Sequence, residues 1–331
     1  MTFTSRQTCA TALTAGILAA SAMTGTAAAQ DYEVAYLTAS AANTWLSKSL
    51  EEMEKVAKAN GVTITEFDGQ FDPATQTAQL QDVIASGQYD GLIIASINGP
   101  GAVPDIETAL AEGLEVVVLN QVLGSDLTTS DPQVEGIAAS VMVAPYGSGQ
   151  RLGGLTVSAC EGIDPCEVVY LYGIKGTPLD TAVRQGFDEA TGDSPNISVV
   201  AEGEGKYLGP DGGIVATEDI LQVNDSFDVI VGPDQAIQGA EIVLGDEGML
   251  DDVKLIGFGG SAPAFRGIAS GAWYGTVMGA PADEGRLAME AMVDALKNGN
   301  DQGGIDPLAS MPDNGKVTAD NIDQFSAQWD G

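Results

Sequence analysis

The chain has 331 residues, is 44% hydrophobic and carries a formal net charge of −34. That balance supports packed domains rather than disorder, and the sign of the charge argues against nucleic acid and anionic membrane surfaces, which select for Lys and Arg. There is no histidine, which removes Ser-His-Asp and Cys-His nucleophile systems, His-ligated zinc and histidine acid–base catalysis.

The first segment reads as an address. Arg6 supplies a positive start, residues 10–23 are small and apolar, and Ala27-Ala28-Ala29 offers an A-x-A cleavage site before Gln30. This is the layout of a secretory signal peptide over residues 1–29. The apolar run is too short for a membrane anchor, and no later stretch approaches a span. Cys9 lies at the wrong end for a lipid-anchoring cysteine. The exported part keeps Cys160 and Cys166. In an oxidising compartment a lone pair that close reads as a disulfide, with two unpaired thiols as the alternative. Residues 30–331 suffice for two ordinary domains.

From residue 33 onward, short apolar runs alternate with segments of helical period. EVAYL (33–37) is strand-like. Residues 43–60 place Leu46, Leu50, Met53, Val56 and Ala57 at three- and four-residue spacing, and Gly61 stops the helix. VTI (62–64), a helix after Pro73, the strand GLIIA (91–95), a helix over about 103–113 and EVVVL (115–119) follow. Strands apolar throughout, separated by crossover helices, predict a parallel sheet covered on both faces.

The passage then repeats. EVVYL (167–171) echoes EVAYL, ISVV (197–200) stands for VTI, FDVIVGP (227–233) matches YDGLIIAS (89–96), and VKLIGFG (253–259) matches LEVVVLN (114–120). Four echoes in order predict two related doubly wound α/β modules. Ligands of such sheets sit just beyond the carboxyl ends of the strands, where helix N-termini present free N–H groups.

The turn Asn43-Thr-Trp45, the stretch FDGQFDPATQ (67–76), GLIIAS, VVVLNQ and RQGF (184–187) occur in an order that resembles the ribose-binding-protein-like, type I periplasmic sugar-binding proteins of ABC importers. The resemblance covers nearly the whole exported chain. It implies an α/β fold of two similar parallel-sheet lobes joined by a three-segment hinge. The crossings are expected near 143–145, 279–281 and 307–312. An N-terminal lobe of residues 30–143 plus 281–307 would then face a C-terminal lobe of residues 144–280 plus 308–331.

The resemblance further implies a periplasmic protein that captures a sugar, polyol or related solute and passes it to an inner-membrane ABC permease. No cofactor and no nucleic acid are expected. On the implied site, Asn43 and Trp45 grip the ligand from the first turn, an amide to hydroxyls and an aromatic face to C–H groups. Ser96, Asn120, Gln121, Thr177, Tyr207 (or Leu208 beside it) and Asp234 complete the set. Packing at a helix start is the alternative role for Trp45. The chain departs from the family where charged or polar clamps are expected. Asn120-Gln121 replaces Asp-Arg, Pro233-Asp234 replaces Asn-Asp, Gly259 stands for an Asp and Gly279 for a Gln. Arg184 is displaced from the helix start and lies four residues from Asp180.

Rival readings rest on less. Gly147-Ser-Gly149-Gln-Arg-Leu-Gly153 is one residue longer than the dinucleotide fingerprint, and glycine-eased crossing and packing accounts for it better. A sugar-responsive repressor needs a basic helix-turn-helix where this chain has its leader. Asp68 and Asp72 lack the calcium-loop pattern. A receptor feeding a chemoreceptor or sensor kinase shares the fold and stays open at this point.

Overall fold

The computed structural model describes residues 1–4 and 32–331. The proposed leader, including Arg6, Cys9 and the Ala27–Ala29 site, falls almost wholly outside them. Two six-stranded sheets organise the rest.

The first sheet has β1 (Tyr32–Thr38) at its heart, flanked by β2 (Val62–Asp68) and β3 (Gly91–Ile94), and continues through β4 (Glu115–Leu119), β5 (Ala139–Val141) and β11 (Gly303–Ile305). All its pairings are parallel. Its helices are α1 (Thr44–Asn60), α2 (Pro73–Ser86), α3 (Gly99–Ala111) and α9 (Pro281–Asn298).

Successive residues of β1 point to opposite faces. Val34 and Tyr36 pack with Met53 of α1 and Met289 of α9. Ala35 and Leu37 pack with Leu80 of α2 and Ile106 of α3. Both faces are covered, which is why residues 34–37 are apolar without a break.

The second sheet repeats this order with β7 (Ile197–Glu204), β6 (Cys166–Tyr172), β8 (Val229–Pro233), β9 (Lys254–Phe258), β10 (Trp273–Val277) and β12 (Lys316–Thr318). Here the edge strand β12 runs antiparallel to β10. One face carries α4 (Pro145–Ala159) and α5 (Pro178–Thr191), and the other α6 (Asp211–Leu221), α7 (Asp234–Asp246) and α8 (Ala262–Ser270). The four sequence echoes fall on β1/β6, β2/β7, β3/β8 and β4/β9, at equivalent places in the two sheets. The chain passes between sheets at 142–144, 278–280 and 306–315.

Several local expectations change. Helix α3 begins at Gly99, four residues earlier than its periodicity suggests, because Asn98 caps it by accepting from the Gly101 N–H and Pro100 fits the first turn. The glycine run 147–153 is helix, not a phosphate-cradling turn. A Cβ at Gly149 would lie 1.9 Å from the Val183 carbonyl oxygen, so the run exists to bring α4 against α5. Cys160, at the end of α4, is disulfide-bonded to Cys166, the first residue of β6, as expected. Arg184 does not pair with Asp180. It pairs with Asp188 and Glu202, and the Asp180 carboxylate instead accepts from the Gly173 and Ile174 N–H groups.

Among the described residues, no helix is long and apolar enough to cross a membrane, and no cluster of three potential metal ligands occurs.

Candidate functional site

The carboxyl ends of the two sheets face one another across a cavity whose empty space, mouth included, is about 930 Å³.

Asn43 enters this cavity through a local logic. Its Oδ1 caps α1 by accepting from the Leu46 N–H at 3.0 Å, which leaves its amide nitrogen to donate to the Tyr207 carbonyl at 2.9 Å. One short side chain thereby starts a helix on the first sheet and reaches the second. Asn120 holds a left-handed backbone (φ 62°) at the end of β4, a conformation Asn tolerates. Its Oδ1 accepts from Gln121 at 3.1 Å. Thr177 caps α5, and its hydroxyl is committed to Ile174 and Asp180.

Of the eight residues proposed from sequence, Asn43, Trp45, Asn120, Gln121, Thr177 and Tyr207 line the cavity. Ser96 and Asp234 do not. Ser96 is buried at the end of β3. Asp234 is fully buried, and its carboxylate accepts from the Ser261 N–H at 2.7 Å and the Thr276 hydroxyl at 2.9 Å, bracing β8, β9 and β10 from below. Burial pushes its pKa up to about 6 against the pull of these donors. Asp234 is a bracket for the strand ends, and its neighbour Gln235 lines the cavity in its place.

Three of the rings that form the walls sit on glycines. A Cβ on Gly279 would lie 2.4 Å from the Trp45 ring, one on Gly173 1.9 Å from the Tyr207 ring, and one on Gly259 3.0 Å from the Trp329 ring. Gly259 and Gly279 thus do more than lose a polar side chain: they make room for indoles. Trp45 and Trp329 meet edge to face, with centroids 5.4 Å apart. Tyr207 is pinned at its hydroxyl, which donates to Asp180 at 3.2 Å.

Behind this wall lies Glu284, on the first turn of α9 and fully buried. It accepts from Trp45 Nε1 at 2.7 Å, Asn120 Nδ2 at 3.1 Å and the Val143 N–H at 2.8 Å. It therefore orients two cavity residues while holding the first crossing. Burial pushes its pKa up to about 7, against the three donors, and Asp306 in the third crossing adds to the rise.

Sequence reasoning missed Glu284, Trp329, Gln235 and Ser148. The last three line the cavity. No charged side chain lines the cavity among the described residues. What remains is a set of amides and hydroxyls between aromatic and aliphatic walls, with no carboxylate, amine or thiol in contact with the space among the described residues.

A family model described as a periplasmic binding protein domain matches residues 34–301. The chain belongs to that family. Its members are binding proteins rather than enzymes, and they work outside the cytoplasm. The chain is 24% identical over 302 residues to the xylitol-binding protein of Mycolicibacterium smegmatis, covering 90% of this chain and 80% of that one. It is 26% identical over 289 residues to the D-allose-binding periplasmic protein of Escherichia coli, covering 86% and 89%. Among solved structures, a solute-binding protein of an ABC transporter from Bacillus halodurans with bound myo-inositol superposes with a TM-score of 0.76 at 20% identity, covering 92% of this chain and all of the other. The two-lobed α/β architecture is thus the family's.

Proposed function

We propose that this binding protein captures a small, uncharged sugar or polyol between its two lobes and delivers it to an ABC permease in the inner membrane. The lobes comprise residues 30–143 plus 281–307 and residues 144–280 plus 308–331, and they close over the solute. The observation that carries this reading is the lining: neutral hydrogen-bonding groups from both sheets set among aromatic rings, with no charged side chain in contact. Hydroxyls donate and accept, and so do amides. C–H faces of sugars pack on aromatic rings. An anionic or cationic solute would find no partner here, and burying an unpaired charge costs several kcal/mol or more.

Relatives whose names state xylitol, D-allose and ribose binding support the same class. Their names are those of binding and import proteins, which favours import over a signalling receptor. Residues 1–29 supply the export signal.

The test is a thermal-shift screen of residues 30–331 with xylitol, D-allose, D-ribose and myo-inositol, set against D-glucuronate and glucosamine. A neutral compound should raise the melting temperature, with a shift that grows with the logarithm of its concentration above the dissociation constant. Stabilisation by the charged compounds alone would refute the reading.

A further inference from the structure

The segment 326–331 lies outside both repeated modules, yet it touches both sides of the cavity. Toward the second sheet, Trp329 Nε1 donates to the Gly259 carbonyl at 2.7 Å, and the Ala262 N–H donates to the Trp329 carbonyl at 3.0 Å. Toward the first sheet, the Thr44 hydroxyl donates to the Gly331 carbonyl at 2.8 Å. The Gln328 side chain exchanges two bonds with Asp283 at the start of α9, accepting from its N–H at 3.1 Å and donating to its carboxylate at 2.6 Å. Three covalent crossings join the lobes from behind. A fourth connection, non-covalent as the Asn43–Tyr207 bond also is, lies beside the cavity.

Trp329 is 5% exposed and lines the cavity. Its indole meets that of Trp45 at an interplanar angle of 69°. The two rings form a corner, one wall from the first helix of the N-terminal lobe and the other from the strap. Both rings spend their single N–H on the protein, Trp45 on Glu284 and Trp329 on Gly259. What they can offer a solute is therefore apolar surface. A solute seated there must present C–H groups to two directions.

We propose that Trp329 is a ligand-contacting residue and that segment 326–331 is a strap whose bonds to Thr44 and Asp283 form only when the lobes close. The strap then slows release of a neutral solute whose C–H face rests in the Trp45–Trp329 corner. This rests on the sugar or polyol reading above. A fourth, breakable bridge adds to the closed form alone, so it shifts affinity through the population of that form.

The experiment screens wild-type protein, Trp329→Ala, Trp329→Phe and the double variant Thr44→Ala/Gln328→Ala against xylitol, D-allose, D-ribose and myo-inositol. Calorimetry gives the dissociation constant and stopped-flow fluorescence the release rate. For the tightest of the four compounds, Trp329→Ala should weaken binding about tenfold or more, and Trp329→Phe, which keeps an aromatic face, about threefold or less. The double variant, whose residues lie outside the cavity lining, should release about threefold faster with little change in association.

Wild-type binding that Trp329→Ala leaves unchanged overturns the wall, and an unchanged release rate in the double variant overturns the strap. If Trp329→Ala does not fold, Trp329→Phe and the double variant decide. If none of the four compounds binds wild type, the sugar and polyol reading fails and this inference with it.

Discussion

The amino ends of the two sheets are near copies, and the carboxyl ends are not. At the amino end of the first sheet, Asp90 accepts from the Glu33 N–H through its carboxylate, donates its own N–H to the Glu33 carbonyl and accepts from the Glu115 N–H. At the second, Asp228 does the same with Glu167 and Lys254. At the carboxyl ends the pairing dissolves. Asn120 follows β4 where Gly259 follows β9. Gln76 braces the first sheet by donating to the Thr38 and Ala95 carbonyls, while Asp234 braces the second by accepting from Ser261 and Thr276. The first lobe lines the cavity with the amides of Asn43, Asn120 and Gln121, whereas the second adds Gln235 and the glycine seats of Tyr207 and Trp329. The two sheets share a frame, and the cavity lining differs where they diverge.

The most severe test of that contrast removes a ring from the divergent end. Trp45→Ala should weaken binding of the best sugar or polyol by about tenfold or more, equivalent to roughly 1–3 kcal/mol, while changing the stability of the unliganded protein far less. Calorimetry and thermal melting measure the two effects, and an unchanged dissociation constant would make Trp45 a packing residue.

At the opposite end, the Cys160–Cys166 bond sits at the start of β6, away from the cavity. Replacing both residues by Ser should cost about 2 kcal/mol of stability, read in urea, and leave affinity alone. An affinity loss here would mean that the two ends are not independent.

Gly173→Ala gives a subtler result. The added methyl must push the Tyr207 ring aside, at roughly 1–3 kcal/mol of overpacking, so binding should weaken severalfold in a folded protein. A crystal structure of the variant with Tyr207 unmoved would contradict the role of the glycine seat.

The smallest effect is in pH. Glu284 and Asp234 are held above their ordinary values, at about 7 and about 6. A group whose folded pKa is raised stabilises the protein fully below its unfolded pKa and loses that contribution as pH rises through the folded value. The Asp234 share of the stability should therefore decline between about pH 4 and 6, and the Glu284 share between about pH 4.5 and 7. Glu284→Gln should flatten the later part of the decline in melting temperature. An identical pH profile in the variant would remove Glu284 from the account.

The frame was readable because β1, β3, β4, β6, β8 and β9 are covered on both faces and so each carries a run of consecutive apolar residues. Strand β5 and the edge strands β11 and β12 were not readable. Each is three residues long, too short for any periodicity to show. Within the site, Asn43, Trp45, Asn120, Gln121, Thr177 and Tyr207 could be placed because they follow strands or start helices in the repeated order. Glu284 could not, because it lies 164 positions from Asn120 on a helix whose pattern announces only packing. Trp329 lies beyond the repeats altogether. Asp234 was misplaced because its position after β8 says nothing about which way the carboxylate turns. Ser261 and Thr276 decide that, and both are distant in sequence.

The central claim is that solute binding brings the two sheets' carboxyl ends together. Small-angle scattering on residues 30–331, with and without a saturating amount of the best-binding sugar or polyol, tests it most directly. The account predicts a smaller radius of gyration in the presence of the solute, with the solute recovered chemically unchanged. Superimposable scattering curves at proven saturation would contradict it.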